Sequence, residues 1–134
     1  MTTKVSIDAS GGDFGFPVTI EAGLNALGLY GDLHLNFVGN ESGVRLELEK
    51  HAKYKTLSER ISITHASEIV EMDELPSRAL RRKKDSSMRV AINLVRDNNV
   101  DACVSAGNTG ALMAISRFVL KTCLLYTSPS PRDA

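Results

Sequence analysis

Two glycine-rich loops, each set between an apolar strand pattern and an apolar-periodic helix pattern, constrain this chain more than anything else in it. The first follows the alternation Lys4-Val5-Ser6-Ile7-Asp8 and reads Ala9-Ser10-Gly11-Gly12-Asp13-Phe14-Gly15. The second follows Ala102-Cys103-Val104 and reads Ser105-Ala106-Gly107-Asn108-Thr109-Gly110, ahead of Ala111-Leu112-Met113. Gly107 and Gly110 remove the side chains that would keep a ligand off the backbone. The first turn of the helix behind them offers unpaired N–H groups at the positive end of its dipole. Phosphate suits such a loop. If the two strands lie parallel in one sheet, both loops meet at its carboxyl edge, where open α/β sheets bind ligands.

The rest of the chain alternates in the same way. Strands are expected at about 5–8, 33–38, 61–64 and 100–105, and helices at about 18–29, 42–53, 77–84, 86–97 and 108–121. Ile20, Leu24 and Leu27 set one helical period, and Met88, Ala91, Ile92 and Val95 set another. In the second helix Val44, Leu46 and Leu48 read as the apolar side, with Glu47, Glu49 and Lys50 as a charged face. Strands separated by helices are βαβ units with right-handed crossovers. The expected fold class is therefore α/β, a three-layer α/β/α arrangement around a mostly parallel sheet.

Composition excludes several partners. Sixteen basic residues balance sixteen acidic ones in 134, so no overall field draws the chain to nucleic acid or to a membrane surface. No apolar run approaches the roughly 18 residues that span a bilayer, and Met1-Thr2-Thr3-Lys4 leads into a strand without a signal core. A cytoplasmic location is expected. Cys103 reads as a small core residue, and His34, His51 and His65 lack ligand spacing, so no metal, disulfide framework or cofactor is expected. The absence of Gly-x-x-x-x-Gly-Lys-Ser/Thr and of Gly-x-Gly-x-x-Gly disfavours nucleotide hydrolysis and dinucleotide binding.

Taken in order, Asp8, Gly11-Gly12-Asp13-Phe14-Gly15, Ser86-Ser87-Met88-Arg89-Val90-Ala91 and Val104-Ser105-Ala106-Gly107-Asn108-Thr109-Gly110-Ala111-Leu112 resemble the N-terminal part of the bacterial phosphate acyltransferase (PlsX) family. The match runs from about Val5 to Thr122, and Ser-Ala-Gly-Asn-Thr-Gly-Ala is its most specific piece. Ser10 stands where that family usually has Met, and Phe16-Pro17 replaces its Gly-Pro join. The resemblance implies transfer of a fatty acyl group from acyl carrier protein to inorganic phosphate, giving acyl phosphate for phospholipid synthesis. It also implies a homodimer, peripheral membrane association and a fold related to isopropylmalate dehydrogenase and phosphotransacetylase. Family members are several hundred residues long, so residues 1–122 are expected to be an N-terminal, truncated part of the domain. Residues 123–134 resemble the translation of a transposase adapter used in sequencing libraries, and an artefact is expected there.

Within that frame the candidate groups fall into three sets. Asn108, Asp8 and Asp13 are the catalytic candidates. Asn108 is expected to donate its amide to the tetrahedral oxyanion, and one of the two carboxylates to take a proton from phosphate or orient a donor. Both carboxylates also fit local N–H capping in a turn. Gly11, Gly12, Ser86, Ser87, Ser105, Gly107, Thr109 and Gly110 are the phosphate and substrate candidates, although Ser86 or Asp85 equally fits a plain helix cap. Arg78, Arg81, Arg82, Lys83 and Lys84 form a basic run that is either a solvated face or a docking face for acidic acyl carrier protein. Ser105 lacks a Gly-x-Ser-x-Gly elbow, so direct attack by phosphate is preferred to an acyl-serine. Alternatives are an acyl-CoA phosphotransacetylase and a non-catalytic binding module. The isolated chain is expected to be inactive.

Overall fold

A computed structural model of the chain describes residues 2–127, without the side chains from 121 onward. Four parallel strands form one sheet in the order β3-β2-β1-β4, with β1 at Thr3–Asp8, β2 at Leu33–Gly39, β3 at Ile61–His65 and β4 at Ala102–Val104. The register pairs Val5 with Leu35 on one side and with Ala102 on the other. Alternation along the strands then sorts side chains between two helical layers. Leu35 and Phe37 pack with Ile20, Leu24 and Leu27 of α1 (Phe16–Leu29) and with Val44 and Leu48 of α2 (Glu41–Glu49). The opposite parity, Ser6, Asp8 and Val38, faces α5 (Ser87–Arg96), where Ser6 donates its buried hydroxyl to Ala91 O at 2.9 Å. Behind α5, the helices α4 (Pro76–Arg82) and α6 (Thr109–Thr127) close the second layer around Ala79, Met88, Ile92, Ala111 and Ile115. The three-layer α/β/α reading is met.

Three local expectations change. The helix expected over 42–53 ends at Glu49, and a short α3 follows at Tyr54–Leu57. The apolar series explains this: after Val44 and Leu48 the next core side chains are Tyr54 and Leu57, a spacing one straight helix cannot place on one face. Leu46 points to solvent, 64% exposed, instead of joining the apolar side. The strand expected over 100–105 keeps only three residues; ahead of it Asp101 still donates its backbone N–H to Lys4 O at 2.7 Å, but its carboxylate accepts Lys4 N–H at 2.8 Å. Cys103 is half-buried, and burial and the nearby Asp8 charge push its thiol pKa upward. The backbone of α6 continues through Cys123 to Thr127, and residues 128–134 of the segment read as an artefact lie outside the described residues.

Candidate functional site

The two glycine loops touch at the carboxyl edge of the sheet. A Cβ on Gly11 would lie 3.1 Å from Gly107 N and 3.2 Å from Ser105 Oγ, and one on Gly107 would lie 3.5 Å from Gly11 Cα. Gly12 takes φ 87° and Gly15 φ 63°, left-handed values that the turn into α1 requires. Ala106 O sits 3.5 Å from where a Gly12 Cβ would stand, so the second loop also lies against the tip of the first.

Beneath the contact sits Asp8, 2% exposed. Its Oδ1 accepts the Ser87 hydroxyl at 2.5 Å, and its Oδ2 accepts the Ser105 hydroxyl at 2.8 Å. Ser105 Oγ in turn accepts Gly107 N–H at 3.1 Å. One carboxylate thereby fastens the end of β1, the start of α5 and the second glycine loop. Burial pushes the Asp8 pKa above the ordinary carboxylate value, while the Ser87 and Ser105 hydroxyls pull against that shift. With both oxygens engaged and shielded, Asp8 orients the Ser87 and Ser105 hydroxyls. Asp13 stands exposed at the turn.

In this geometry two sets of candidate residues are engaged within the protein. Ser86 and Ser87 were candidates to touch phosphate, but they are 0% and 2% exposed. Ser86 Oγ caps α5 by accepting Arg89 N–H at 3.0 Å, Ser87 N–H donates to Glu68 O, and the Ser87 hydroxyl belongs to Asp8. The start of α5 is thus a buried cap. Asn108 was expected to aim its amide at an oxyanion, yet Nδ2 donates to Glu71 O at 3.0 Å and Glu74 O at 2.8 Å, which uses both its hydrogens. Its Oδ1 accepts Ala111 N–H at 3.1 Å. Asn108 is the N-cap of α6 and a strap on the 71–74 loop.

What remains open to a ligand is the first turn of α6. Ala111 N–H and Leu112 N–H are taken by Asn108, whereas those of Thr109 and Gly110 have no acceptor among the described residues, and both residues are exposed. Gly110 serves packing as well, because a Cβ there would lie 2.9 Å from Pro76 Cγ. Pro76, Glu71 and Glu74 as neighbours of this turn were not legible: they reach it through backbone carbonyls and a ring, which carry no sequence signature. The Ser87–Asp8–Ser105 knot left only an adjacent pair of serines before a helix as its trace.

The basic run divides. Glu74 holds Lys83 at 3.3 Å and Arg78 at 3.8 Å, while Lys83 also donates to Ile69 O at 2.6 Å. The Glu71 backbone N–H, with Lys83 in support, keeps the Glu74 carboxyl below its ordinary pKa. Arg81, Arg82 and Lys84 are exposed and make no ion pair among the described residues. No group of three or more His, Cys, Asp or Glu side chains gathers as a metal ion would need, again among the described residues.

Comparison with known proteins gives the family. Over 122 residues the chain is 66% identical to a phosphate acyltransferase of Ruthia magnifica, a span of 91% of this chain and 36% of that protein. It is 56% identical over 122 residues to one of Hydrogenovibrio crunogenus, and 57% identical over 126 residues to one of Francisella tularensis subsp. novicida. The chain thus spans about a third of the length of these relatives. A family model described as "Fatty acid synthesis protein" matches residues 3–130, and the chain belongs to that family.

Proposed function

We propose that the whole protein of which this chain is a part moves a fatty acyl group from acyl carrier protein to inorganic phosphate, making acyl phosphate for phospholipid synthesis. The observation that carries this reading is the contact between the Gly11-Gly12 and Gly107–Gly110 loops, with the free N–H groups of Thr109 and Gly110 beside it. Relatives named phosphate acyltransferase supply the reaction class.

Hydrogen phosphate is already a nucleophile at neutral pH. Its oxygen forms a new bond to the thioester carbonyl carbon, the C–S bond breaks, and the departing sulfur takes up the proton that phosphate carried. Holding phosphate against the carbonyl supplies much of the rate. Ser105 is not assigned a covalent role: its hydroxyl is committed to Asp8, and His34 and His65 are bonded to Ser62 and to Glu41 N–H. Gly11, Gly12, Gly107, Thr109 and Gly110 line the phosphate position in this reading, while Asp8, Ser105 and Asn108 set its shape. A cytoplasmic homodimer with peripheral membrane contact is part of the same proposal.

The test is phosphate-dependent release of thiol from acyl carrier protein thioester by the full-length protein. Turnover with acyl-CoA alone would favour a phosphotransacetylase, and no turnover with either donor would leave a binding module. The isolated chain, holding one side of the site, is expected to release none.

A further inference from the structure

Arg81, Lys84, Arg89, Leu80 and Phe118 line a groove of about 420 Å³ between α4, the start of α5 and α6. Arg89 lies over the Phe118 ring, 5.4 Å from its centroid, and Phe118 is 55% exposed. Among the described residues, every charged group that lines it is a cation. The neighbouring carboxylates are occupied elsewhere: Glu74 with Lys83 and Arg78, and Asp85 with the Ser67 N–H and hydroxyl. Arg89 has no carboxylate partner among the described residues, and burial and the Arg96 charge hold its pKa below the ordinary value.

We propose that this groove docks an acidic helix of the carrier protein that delivers the thioester, with Phe118 and Leu80 taking an apolar side chain and Arg81, Lys84 and Arg89 its flanking carboxylates. Cations around an aromatic floor suit a ridge that presents carboxylates beside an apolar residue. A flat layer of lipid headgroups would meet the rim and leave the floor empty. The groove is also tied to the site. Arg89 follows Ser87, which holds Asp8, and Phe118 lies nine residues, about 14 Å, along α6 from Thr109. A carrier seated here extends its flexible thioester arm along α6 to the phosphate loops. The sequence alone grouped Arg78, Arg81, Arg82, Lys83 and Lys84; in the structure Arg78 and Lys83 lie beside Glu74, and Arg89 and Phe118 join Arg81 and Lys84 at the groove.

The inference rests on the carrier-protein reading of the donor. It is tested by titrating the intact protein with carrier protein bearing no acyl group, at low and moderate salt, with circular dichroism confirming the fold of each variant. Arg81→Glu with Lys84→Glu is expected to weaken binding about tenfold or more and to flatten its salt dependence. Phe118→Ala is expected to weaken it severalfold with the salt dependence kept. Lys55→Glu, in the opposite layer, is expected to change little. Unchanged binding in the groove variants, an equal loss in Lys55→Glu, or no binding by the wild type would overturn the docking site. So would retained carrier binding with lost affinity for phosphatidylglycerol vesicles. Failure of the donor reading has a separate signature, turnover of acyl-CoA and none of the carrier thioester.

Discussion

The two glycine loops look alike in sequence and are built on different physics. The first owes two of its three glycines to conformation: Gly12 and Gly15 take left-handed φ values, and a Cβ on Gly15 would meet nothing within 4 Å, while Gly11 alone is held by contact with the second loop. The second contains no positive-φ residue and owes its glycines to contact, with Gly107 against Met88 and Gly11, and Gly110 against Pro76. The first loop is therefore a shaped turn with an exposed tip. The second is a crowded turn fastened by side chains, through Ser105 to Asp8 and through Asn108 to the 71–74 carbonyls.

Asp8 is where the two meet, and its removal should break the comparison most severely. Asp8→Ala leaves the buried Ser87 hydroxyl and the half-buried Ser105 hydroxyl without an acceptor and opens a void, a loss of about 3 kcal/mol in urea unfolding. Retention of full stability would mean that the Ser87 and Ser105 bonds do not hold the loops.

Alanine at the glycines separates conformation from contact. Gly12→Ala should cost about 1–2 kcal/mol from left-handed strain alone, with asparagine at the same position recovering part of it. Gly110→Ala should cost about 1 kcal/mol or more through the Pro76 ring, and Pro76→Ala in the same chain should relieve it. Thermal unfolding of the four variants and the double variant checks both claims. Relief of Gly12→Ala by a change in a neighbour, or no relief of Gly110→Ala by Pro76→Ala, would exchange the two explanations.

The contrast also explains what sequence reading reached. Period-2 and period-3.6 patterns located the strands and most helices, since burial of Leu35, Phe37, Ile20, Leu24 and Leu27 is a local matter of face. Strand–loop–helix order located both loops at one sheet edge. The finer chemistry depended on partners 34 to 97 residues away, as with Asn108 to Glu74 and Ser105 to Asp8. Such pairings follow from packing, so the sequence offered Asn108 as a ligand donor and Ser86-Ser87 as a phosphate contact without revealing the internal bonds each of them makes.

Asn108→Ser sharpens that distinction at a lower energy. Serine keeps a good N-cap for α6 but cannot give two N–H bonds to Glu71 O and Glu74 O. Global stability should fall by less than about 1 kcal/mol, while amide exchange across 71–76 rises against the body of the sheet. Equal acceleration everywhere would show that the strap is a global contact. In the full-length enzyme, a loss of kcat near a hundredfold with unchanged exchange at 71–76 would return Asn108 to the oxyanion role.

The smallest effect concerns charge. Burial raises the Asp8 pKa above 3.8, the Ser87 and Ser105 hydroxyls offset part of the rise, and the folded chain therefore holds that proton more tightly than the unfolded one. Protonated Asp8 is favoured by folding below the unfolded value, and this stabilisation is lost as pH rises through the folded pKa. Asp8→Asn removes the titration and keeps a side chain that can bond both hydroxyls. The unfolding free energy of wild type relative to Asp8→Asn should thus decline as pH rises from the unfolded value through the raised folded one, and then level off. A difference that climbs with pH would mean that the hydroxyls and the nearby N–H groups outweigh burial, making Asp8 a stabilised anion at the floor of the two glycine loops.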